Sequence, residues 1–547
     1  MNNPQFNLLD EAWLPCLMLD GSTREYGIRA ALAEAHQIRE IADPSPLVTA
    51  SLHRLLLAII HRVVEGPADP EDWQSLWQRG MWDMTAFAEY FGQWHCRFDL
   101  FDEEYPFYQW PGLDFAAMVP IAKLTHELAS GNNATLFDHT TEQAGGSFSP
   151  GRAARYLVAQ QNYAVGGLVS FAKGENPADY KSAFGAPLVR GAMILVKREN
   201  LFRTLLLNLC RYDPSEQEPF TADARDGDLP AWERKPPVAI ETRRPFGYRD
   251  LLTWQSRRIR LHPEQSPAGI TIGHAVIMKG NQFADGFHRE TAEVMQAFKI
   301  LPKPSAGQDP WQPVGFREDR ALWRDSLAFM QSLPGEGQRP RILTWLDQLA
   351  EEEMIERGDR IPIDLYGMNT DKAKVLFWRQ ERLVLPLAYL DDRSKELRTT
   401  LAVEIGKAES VAQALQAATR ELAKLLLAPE ADVGGRAPAG EDQGKLAARL
   451  AEGRTYWSRL GAPFSTLLGA LPAQEARKAE GKPSPAVLQW RHELRQAANA
   501  AFSVMVGGLD GSARNLKAVA AAGRVLNGLL HKELGPIEPA QVGGISV

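Results

Sequence analysis

The stretch YGMNTDKAKVLFWRQERLVLP, from Tyr366 to Pro386, is where the chain changes character. Before it, aromatic residues, prolines and glycines are frequent and the segments between them are short, which is typical of mixed α/β structure. After it, alanine and leucine dominate, and leucines recur at helical spacing from Leu390 to Leu425. We therefore predict an α+β protein with a large mixed α/β N-terminal domain over residues 1–385 and a helical domain over residues 386–547.

The C-terminal part has the pattern of an antiparallel four-helix bundle. After the helix that begins near Leu390, three more amphipathic segments are separated by polar connections that contain glycine or proline. These segments are Lys445–Trp457, Pro485–Ala501 and Ala513–Leu530. Four such helices with short loops favour a bundle. In the N-terminal part, Ser51–Glu65 reads as a buried apolar helix, and Met193–Val196 and Ile270–Met278 read as strands.

Composition limits the function classes. Of 547 residues, 44% are hydrophobic and 24% are charged, which is normal for a globular protein that buries a sizeable core. The 61 basic and 68 acidic residues give a net charge of −7, so any nucleic-acid binding must come from local patches. The three cysteines are far apart, which predicts neither disulfides nor a zinc ribbon. With no signal-like N-terminus and no apolar run of about 20 residues, we expect a soluble cytoplasmic protein without membrane contact.

Catalytic motifs are missing from the sequence. Gly440–Lys445 (GEDQGK) is one residue short of a phosphate-binding loop and is followed by leucine. No H-E-x-x-H motif occurs, and Gly145–Gly151 (GGSFSPG) lacks the glycine spacing of a nucleophile elbow. His53 and His61 lie eight residues apart on an apolar helix, which favours packed histidines over metal ligands. We predict no catalytic residue, no metal, no cofactor and no enzymatic activity.

Four stretches, spread over the first two-thirds of the chain, have sequences too specific for chance. They are Asn7–Pro15 (NLLDEAWLP), Asn132–Thr140 (NNATLFDHT), Leu251–Leu261 (LLTWQSRRIRL) and Glu318–Ser326 (EDRALWRDS). Together and in this order, they resemble the large subunit of the type I-E CRISPR surveillance complex Cascade, the CasA family. The later stretch Tyr366–Pro386, followed by a long helical tail, fits the same family, so the resemblance covers nearly the whole chain. The resemblance implies an N-terminal α/β domain of unusual topology and a C-terminal four-helix bundle.

The resemblance also implies a non-catalytic role in antiviral defence. Such a subunit recognises the protospacer-adjacent motif (PAM) of double-stranded DNA through the minor groove, wedges the duplex open to start an R-loop, and forms a platform for a helicase–nuclease that does the cutting. The implied partners are the CRISPR RNA, the target double-stranded DNA, the backbone, handle-binding and small subunits of Cascade, and the transiently recruited helicase–nuclease. The alternatives are an RNA-binding scaffold of another ribonucleoprotein, or a hydrolase without a recognised motif.

A long polar segment, Ser130–Gly146, is the first candidate binding element. Seventeen residues without periodicity make an unusually long loop, and such loops are often functional. Its candidate contacts are Asn132, Asn133, Thr135, Phe137 and His139. The small polar residues supply donors and acceptors, and the phenylalanine can stack on a base or fill a partner's pocket. In the family this loop docks near the RNA 5′ handle; the alternative is an ordinary surface loop with Phe137 in the core.

Gly166 and Gly167 are the second candidate element. Adjacent glycines permit a close backbone approach and positive φ, and a glycine loop of the family lies against the PAM duplex. The alternative is a tight turn between buried segments. Lys279, at the end of an apolar strand, matches the family's lysine finger into the minor groove. The alternative there is a solvated surface lysine.

The segment Asn369–Lys374 (NTDKAK) matches the family's wedge hairpin, with Asn369, Thr370, Asp371 and Lys372 as the candidate contacts. The family generally has a glutamine where Lys372 aligns. A lysine can insert between stacked base pairs and contact phosphate, but it lacks the paired hydrogen-bond donor and acceptor of the glutamine amide.

Arginines concentrate around Trp254 and suit phosphate contacts. They are Arg243, Arg244, Arg249, Arg257, Arg258 and Arg260. The alternative is an amphipathic strand with its arginines facing outward and a structural tryptophan.

Overall fold

The computed structural model describes most of the chain. The described residues are 4–126, 146–212, 220, 227–235, 239–267, 269–305, 309–318, 320–330, 337–371, 373–428, 438–451, 453–477 and 482–536. By its contacts the chain divides into two compact units. The N-terminal unit comprises Met1–Glu318 and Ala328–Leu390, and the C-terminal unit comprises Asp319–Leu327 and Asp391–Val547.

The strands of the described residues are short, except for two long hairpins. In chain order they are β1 (Leu14–Met18), β2 (Thr23–Tyr26), β3 (Ile38–Ile41), β4 (Val119–Pro120), β5 (Gly167–Leu168), β6 (Ser182–Ala183), β7 (Met193–Val196), β8 (Thr242–Arg243), β9 (Arg257–Ser266), β10 (Gly269–Lys279), β11 (Gln282–Phe283), β12 (Phe298–Ile300), β13 (Trp311–Pro313), β14 (Gly337–Gln338), β15 (Arg360–Asp371) and β16 (Lys374–Pro386).

Among the described residues, α-helices occur in both units. In chain order they are α1 (Ile28–Ala33), α2 (Pro46–Val64), α3 (Pro70–Arg79), α4 (Met84–Trp94), α5 (Pro150–Tyr163), α6 (Pro177–Tyr180), α7 (Leu201–Asn208), α8 (Tyr248–Leu252), α9 (Arg289–Ala292), α10 (Leu327–Met330), α11 (Arg341–Glu351), α12 (Lys395–Leu427), α13 (Gly440–Leu450), α14 (Gly453–Ser458), α15 (Gly461–Glu475), α16 (Pro485–Gly507) and α17 (Ala513–Leu534). The predicted α+β class, with a C-terminal helical region, is confirmed.

The core of the N-terminal unit is built around α2. This 19-residue helix is buried from Leu47 to His61 and packs against α5, α8 and β15. It is long and apolar enough to cross a membrane by length and composition, but most of it lies inside the protein. Its buried Arg54 is neutralised by Glu293, with 2.7 Å between Nη1 and Oε1. A buried charge that keeps its partner avoids the large cost of an isolated ion.

The strands form small sheets instead of one large one. Among the described residues each sheet has two or three strands. In one, β15 lies between β16 and β7, and both pairings are antiparallel. In another, β10 lies between β4 and β9. The predicted strands at Met193–Val196 and Ile270–Met278 correspond to β7 and β10, the latter one residue longer at each end.

In its described residues, the C-terminal unit packs four longer helices, α12, α15, α16 and α17, with the short α13 and α14 beside them. Where the sequence predicted one helix over Lys445–Trp457, the structure has α13 and α14 in succession. The sequence prediction also missed α15, which contains Pro472 and three glycine or proline residues in its first nine. Such residues weaken a helical pattern, but the buried Phe464, Leu467 and Leu471 compensate through packing.

Candidate nucleic-acid interface

The β15–β16 hairpin extends beyond the sheet that anchors it. β7 pairs with β15 only from Ile363 to Tyr366, so the outer part of the hairpin lacks this third strand. A register shift lies between Asn369 and Thr370, and the last pair is Asp371 with Lys374. Bulges twist and re-aim the strand that carries them. Burial falls along the same path, and both residues of the last pair are exposed.

The candidate residues of this hairpin differ from one another in burial and in their contacts. The Asn369 side chain is half-buried and donates from Nδ2 to the Phe316 carbonyl, with a distance of 2.7 Å. Asn369 therefore fixes the base of the tip in this structure. Thr370 is half-buried and Asp371 is exposed. Lys372 lies outside the described residues.

The glycine pair lies where α5 leads into the two-stranded ribbon of β5 and β6. A Cβ on Gly166 would come within 2.9 Å of the Gly185 backbone nitrogen and 3.3 Å of the Ala183 carbonyl oxygen. Gly167 has φ of +148°, a conformation that residues with a side chain rarely adopt. The close approach of Gly166 is therefore to the protein's own backbone, whereas Gly167 supplies the unusual backbone angle.

The glycine pair and the hairpin tip meet. A Cβ on Gly167 would lie 3.1 Å from the Cβ of Ala373, next to the predicted wedge position. Both segments line one open groove of about 720 Å³, together with Phe184, Arg190 and Asn369. Two segments that are far apart in the sequence thus form one surface.

Arg257 holds the glycine segment in place. Its guanidinium donates from Nη2 to the carbonyls of Val165 and Phe184, at 2.9 and 2.8 Å, so it joins the two arms of the ribbon. Its Nη1 donates to the Ser256 carbonyl at 2.7 Å. The side chain is 3% exposed, and burial lowers its pKa to about 10. It remains charged at neutral pH and acts as a positioning residue.

Lys279 is linked to the same framework but does not line the groove. It ends β10, where Arg257 is its cross-strand partner. Its Nζ donates to the Asp179 carbonyl at 2.5 Å. Its own carbonyl accepts from Nε of Arg258, whose guanidinium forms an ion pair with Glu175. The structure therefore brings Gly166, Gly167 and the hairpin together directly, and connects Lys279 to them through Arg257.

Two large apolar side chains are exposed on the ribbon. Leu168 is 77% exposed and Phe184 is 71% exposed, the highest values among the large hydrophobic residues in the described part of the chain. Phe184 also lines the groove. Exposed apolar side chains beside a groove often mark a contact surface. Single apolar residues in an irregular segment form no pattern, so the sequence alone does not indicate that these two side chains are exposed.

The arginine cluster around Trp254 has a different role from the one expected. Arg249, Arg257 and Arg258 are buried, so they neither face phosphate nor project outward from an amphipathic strand. The guanidinium groups of Arg257 and Arg258 bind carbonyls and a carboxylate of the protein instead. Trp254 is 3% exposed, which confirms its structural reading. The candidate docking residues Asn132, Asn133, Thr135, Phe137 and His139 lie outside the described residues.

Within the described ranges, no group of three or more His, Cys, Asp or Glu residues could hold a metal ion. His53 and His61 are packed in the core, and burial lowers the pKa of each to about 3. They are neutral core residues, as the sequence indicated.

Comparisons with known proteins point in one direction. The family model of CRISPR-associated protein Cse1 matches residues 7–501. A curated CRISPR-associated protein CasA/Cse1 of Thermus thermophilus is 35% identical over 535 residues, which is 97% of this chain and 98% of that protein. A crystal structure of CasA from Thermus thermophilus superposes with a TM-score of 0.76 at 30% identity, covering 96% of this chain and 100% of the other. A chain of a CRISPR RNA-guided surveillance complex has the same fold, with a TM-score of 0.71 at 20% identity over 96% of this chain and 100% of that one.

Proposed function

The chain belongs to the family of CRISPR-associated protein Cse1, also called CasA, and from this premise we propose that it is the large subunit of an RNA-guided DNA surveillance complex of type I-E. In this role it recognises the PAM in double-stranded DNA and opens the duplex beside it. The guide RNA then reads the target by base pairing. The subunit itself cuts nothing, and a helicase–nuclease is recruited for that step.

One observation carries the proposal. Gly167 and the tip of the β15–β16 hairpin are in contact distance and line the same groove, although they belong to distant parts of the sequence. The two glycines let the ribbon lie tightly against its own second strand and against Ala373, so that the ribbon and the hairpin tip are held side by side. A projecting hairpin beside it is in position to enter the base stack. Reading and opening the duplex at adjacent points is what initiation of an R-loop demands.

The two lysines have different proposed roles. Lys279 reaches the minor groove, which distinguishes A·T from G·C pairs but little more, so several PAM sequences are tolerated. For this contact Lys279 exchanges its bond with the Asp179 carbonyl for one with DNA. Lys372, with Thr370 and Asp371, forms the wedge. Unstacking a base step costs a few kcal/mol, which heteroduplex formation and backbone contacts repay.

The same proposal covers the partners. The loop that contains Asn132, Asn133, Thr135, Phe137 and His139 docks the subunit near the 5′ handle of the CRISPR RNA. The backbone, handle-binding and small subunits complete the assembly, which acts in the cytoplasm. Because the net charge is −7, the isolated chain binds DNA weakly and gains affinity from the complex.

The test is target binding and strand opening by the assembled complex, over a panel of PAMs and at two salt concentrations. Lys279→Ala should weaken binding to PAM-bearing targets more than to targets without a PAM. Lys372→Ala should slow opening for all PAMs and reduce the salt slope by about one. Lys372→Gln should keep opening and sharpen PAM discrimination.

The control is Lys445→Ala, which removes an exposed lysine of the C-terminal unit. If the wild-type complex binds targets with and without a PAM equally, the chain is a scaffold and not a PAM reader. If neither lysine variant differs from the control, the proposed surface is wrong. Metal-dependent nicking by the purified chain, lost on substitution of specific carboxylates, would instead identify a hydrolase.

A further inference from the structure

A second cavity of the N-terminal unit shares no lining residue with the groove described above. It has a volume of about 370 Å³ and lies between the 97–110 segment, the 229–235 segment and the 241–255 segment, with Asn281 beside them. Its walls combine aromatic rings with cations. The aromatic, cationic and amide side chains of interest in its lining are Arg97, Tyr105, Tyr108, Trp110, Lys235 and Gln255. We call this cavity the aromatic pocket.

Tyr108 is held in a strained conformation at the wall of the pocket. Its φ is +57°, which is unusual for a bulky residue. The neighbouring residues enforce it. Gln109 donates from Nε2 to the Leu100 carbonyl at 2.7 Å and accepts from the Leu261 amide at 2.8 Å, and Trp110 donates its amide to the Ile259 carbonyl. A strained backbone conformation persists only when the surrounding structure imposes it. Residues in such conformations cluster at binding sites.

The carboxylates of the pocket already have cationic partners. Asp250 pairs with Arg243 at 2.5 Å and with Arg234 at 3.3 Å. Glu241 pairs with Arg243 at 2.7 Å. The remaining one, Glu233, pairs with Arg62 at 2.8 Å and also accepts from the Tyr90 hydroxyl. Among the described residues, no acidic group that lines the pocket is therefore left to neutralise another cation.

Two cations of the pocket form no ion pair with any residue in the described part of the chain. Arg97 stacks its guanidinium 3.3 Å from the centroid of the Tyr105 ring. Lys235 is exposed at the edge of the pocket. Gln255 lines the pocket with a half-buried amide that makes no side-chain hydrogen bond to a described residue. The pocket thus offers an aromatic wall, a donor–acceptor amide and two positive charges that form no ion pair with a described residue.

We propose that the aromatic pocket binds one nucleotide unit. The base stacks against the aromatic wall next to the Arg97 guanidinium, Gln255 reads an edge of the base, and the phosphate lies between Arg97 and Lys235. Base stacking on aromatic and guanidinium planes is the usual way in which unpaired nucleotides are bound. The volume lies at the lower end of small-molecule pockets and is too small for a duplex. The unit comes either from a free mononucleotide or from one position of a single strand.

The test uses the purified full-length chain. Photo-crosslinking with 8-azidoadenosine 5′-monophosphate, followed by peptide mapping, should label the 97–110 or 229–235 segment, and unlabelled nucleotide should compete. Equilibrium binding of the four nucleoside monophosphates and of a ten-nucleotide single strand separates the two sources. Arg97→Gln should weaken binding at least tenfold, and Lys235→Gln should weaken it several-fold. The matched control Arg79→Gln, an exposed arginine outside the pocket, should bind like the wild type.

Each outcome decides the question. Binding of the mononucleotides assigns a free nucleotide, whereas binding of the strand alone, lost in Arg97→Gln, assigns a strand position. If neither binds, if the label maps elsewhere, or if Arg97→Gln and Lys235→Gln match the control, the proposal is overturned. Should Arg97→Gln unfold, the crosslink map of the wild type and the exposed Lys235→Gln variant decide without it. The outcome is independent of DNA recognition in the groove, because the two cavities share no lining residue.

Discussion

At the scale of single residues, Gly167 has two separate reasons to be glycine, and they make different predictions. Its φ of +148° disfavours any side chain, and a Cβ would press on Ala373 at 3.1 Å. Gly174 has only the first reason, because its φ is +93° and nothing lies within 4 Å of its Cβ position. A comparison of substitutions at Gly167 and Gly174 therefore separates the effect of backbone strain from the effect of contact with the hairpin.

We expect Gly167→Ala and Gly174→Ala each to destabilise the protein by about 1–3 kcal/mol through backbone strain. Only Gly167→Ala should also move the hairpin tip, and thus slow strand opening by the assembled complex. The measurements are thermal unfolding and the rate of opening of a PAM-bearing duplex. Equal opening rates for the two variants at equal stability would mean that the contact with Ala373 has no function.

Sequence reasoning selected the glycines but misread the arginines. An adjacent glycine pair is visible in a sequence because the residue type itself implies a backbone requirement. An arginine implies nothing comparable, because the same side chain serves phosphate, carboxylate or carbonyl partners. Whether Arg257 faces DNA or the carbonyls of Val165 and Phe184 depends on how distant segments fold together. That information is not local to the sequence.

At the scale of elements, α2 places two neutral histidines in the core. His53 is 0% and His61 is 2% exposed, and burial lowers the pKa of each from 6.5 to about 3. Between pH 3 and 6.5 the unfolded chain therefore binds more protons than the folded one. The stability that depends on these neutral histidines is fully present above pH 6.5, and it is lost progressively as the pH falls from 6.5 toward 3.

At pH 5.5, one unit below the unfolded pKa, each histidine should cost about 1.4 kcal/mol of the free energy of unfolding. His61→Phe keeps a ring beside Tyr212 and Tyr248 and removes the titrating group. It should reduce the stability difference between pH 7.5 and pH 5.5 by about that amount in urea unfolding. The control is His492→Phe, at an exposed position of α16 where the ring contacts the neutral Gln496 amide, and it should leave the difference unchanged. An unaltered pH dependence in His61→Phe would refute the buried neutral state.

Elements were predictable where periodicity was strong. The strands β7 and β10 and the helix α2 follow from runs of apolar residues. The helix α15 was missed because its first turns contain glycine and proline, so packing of Phe464 and Leu467 outweighs weak local propensity. The β15–β16 hairpin lacks clean alternation near its tip, and its placement against β7 comes from pairing between distant parts of the chain.

At the scale of the whole molecule, the sequence indicates two parts but not which segments join them. The change in composition near Pro386 lies close to the boundary at Leu390. The short segment Asp319–Leu327, however, belongs to the C-terminal unit although it precedes that boundary in the chain. Its sequence, ALWRD, belongs to one of the stretches that resemble the family. Its packing partners were not, because they come much later in the chain and no local pattern links them to it.

Trp323 is the anchor of this segment. It is 7% exposed, stacks on Phe464 with 4.4 Å between ring centroids, and meets Trp490 edge-on at 6.0 Å. The adjacent Arg324 lies 3.5 Å over the Trp457 ring and forms an ion pair with Glu409. Four aromatic rings, together with the ion pairs of Arg320 and Arg324 with Glu409, thus join this segment to the helices of the C-terminal unit.

We therefore expect Trp323→Ala to destabilise the C-terminal unit selectively, by about 3–5 kcal/mol, as buried tryptophan truncations do. Amide hydrogen exchange in α16 should accelerate by more than a hundredfold, because each loss of about 1.4 kcal/mol corresponds to a factor of ten. Exchange in β10 of the N-terminal unit should stay unchanged. Trp311→Ala, which truncates a half-buried tryptophan of the N-terminal unit, is the matched control and should leave α16 unaffected. If Trp323→Ala accelerated exchange in both units equally, the chain would unfold as a single cooperative body, and residues 319–327 would not be a separable part of the helical unit.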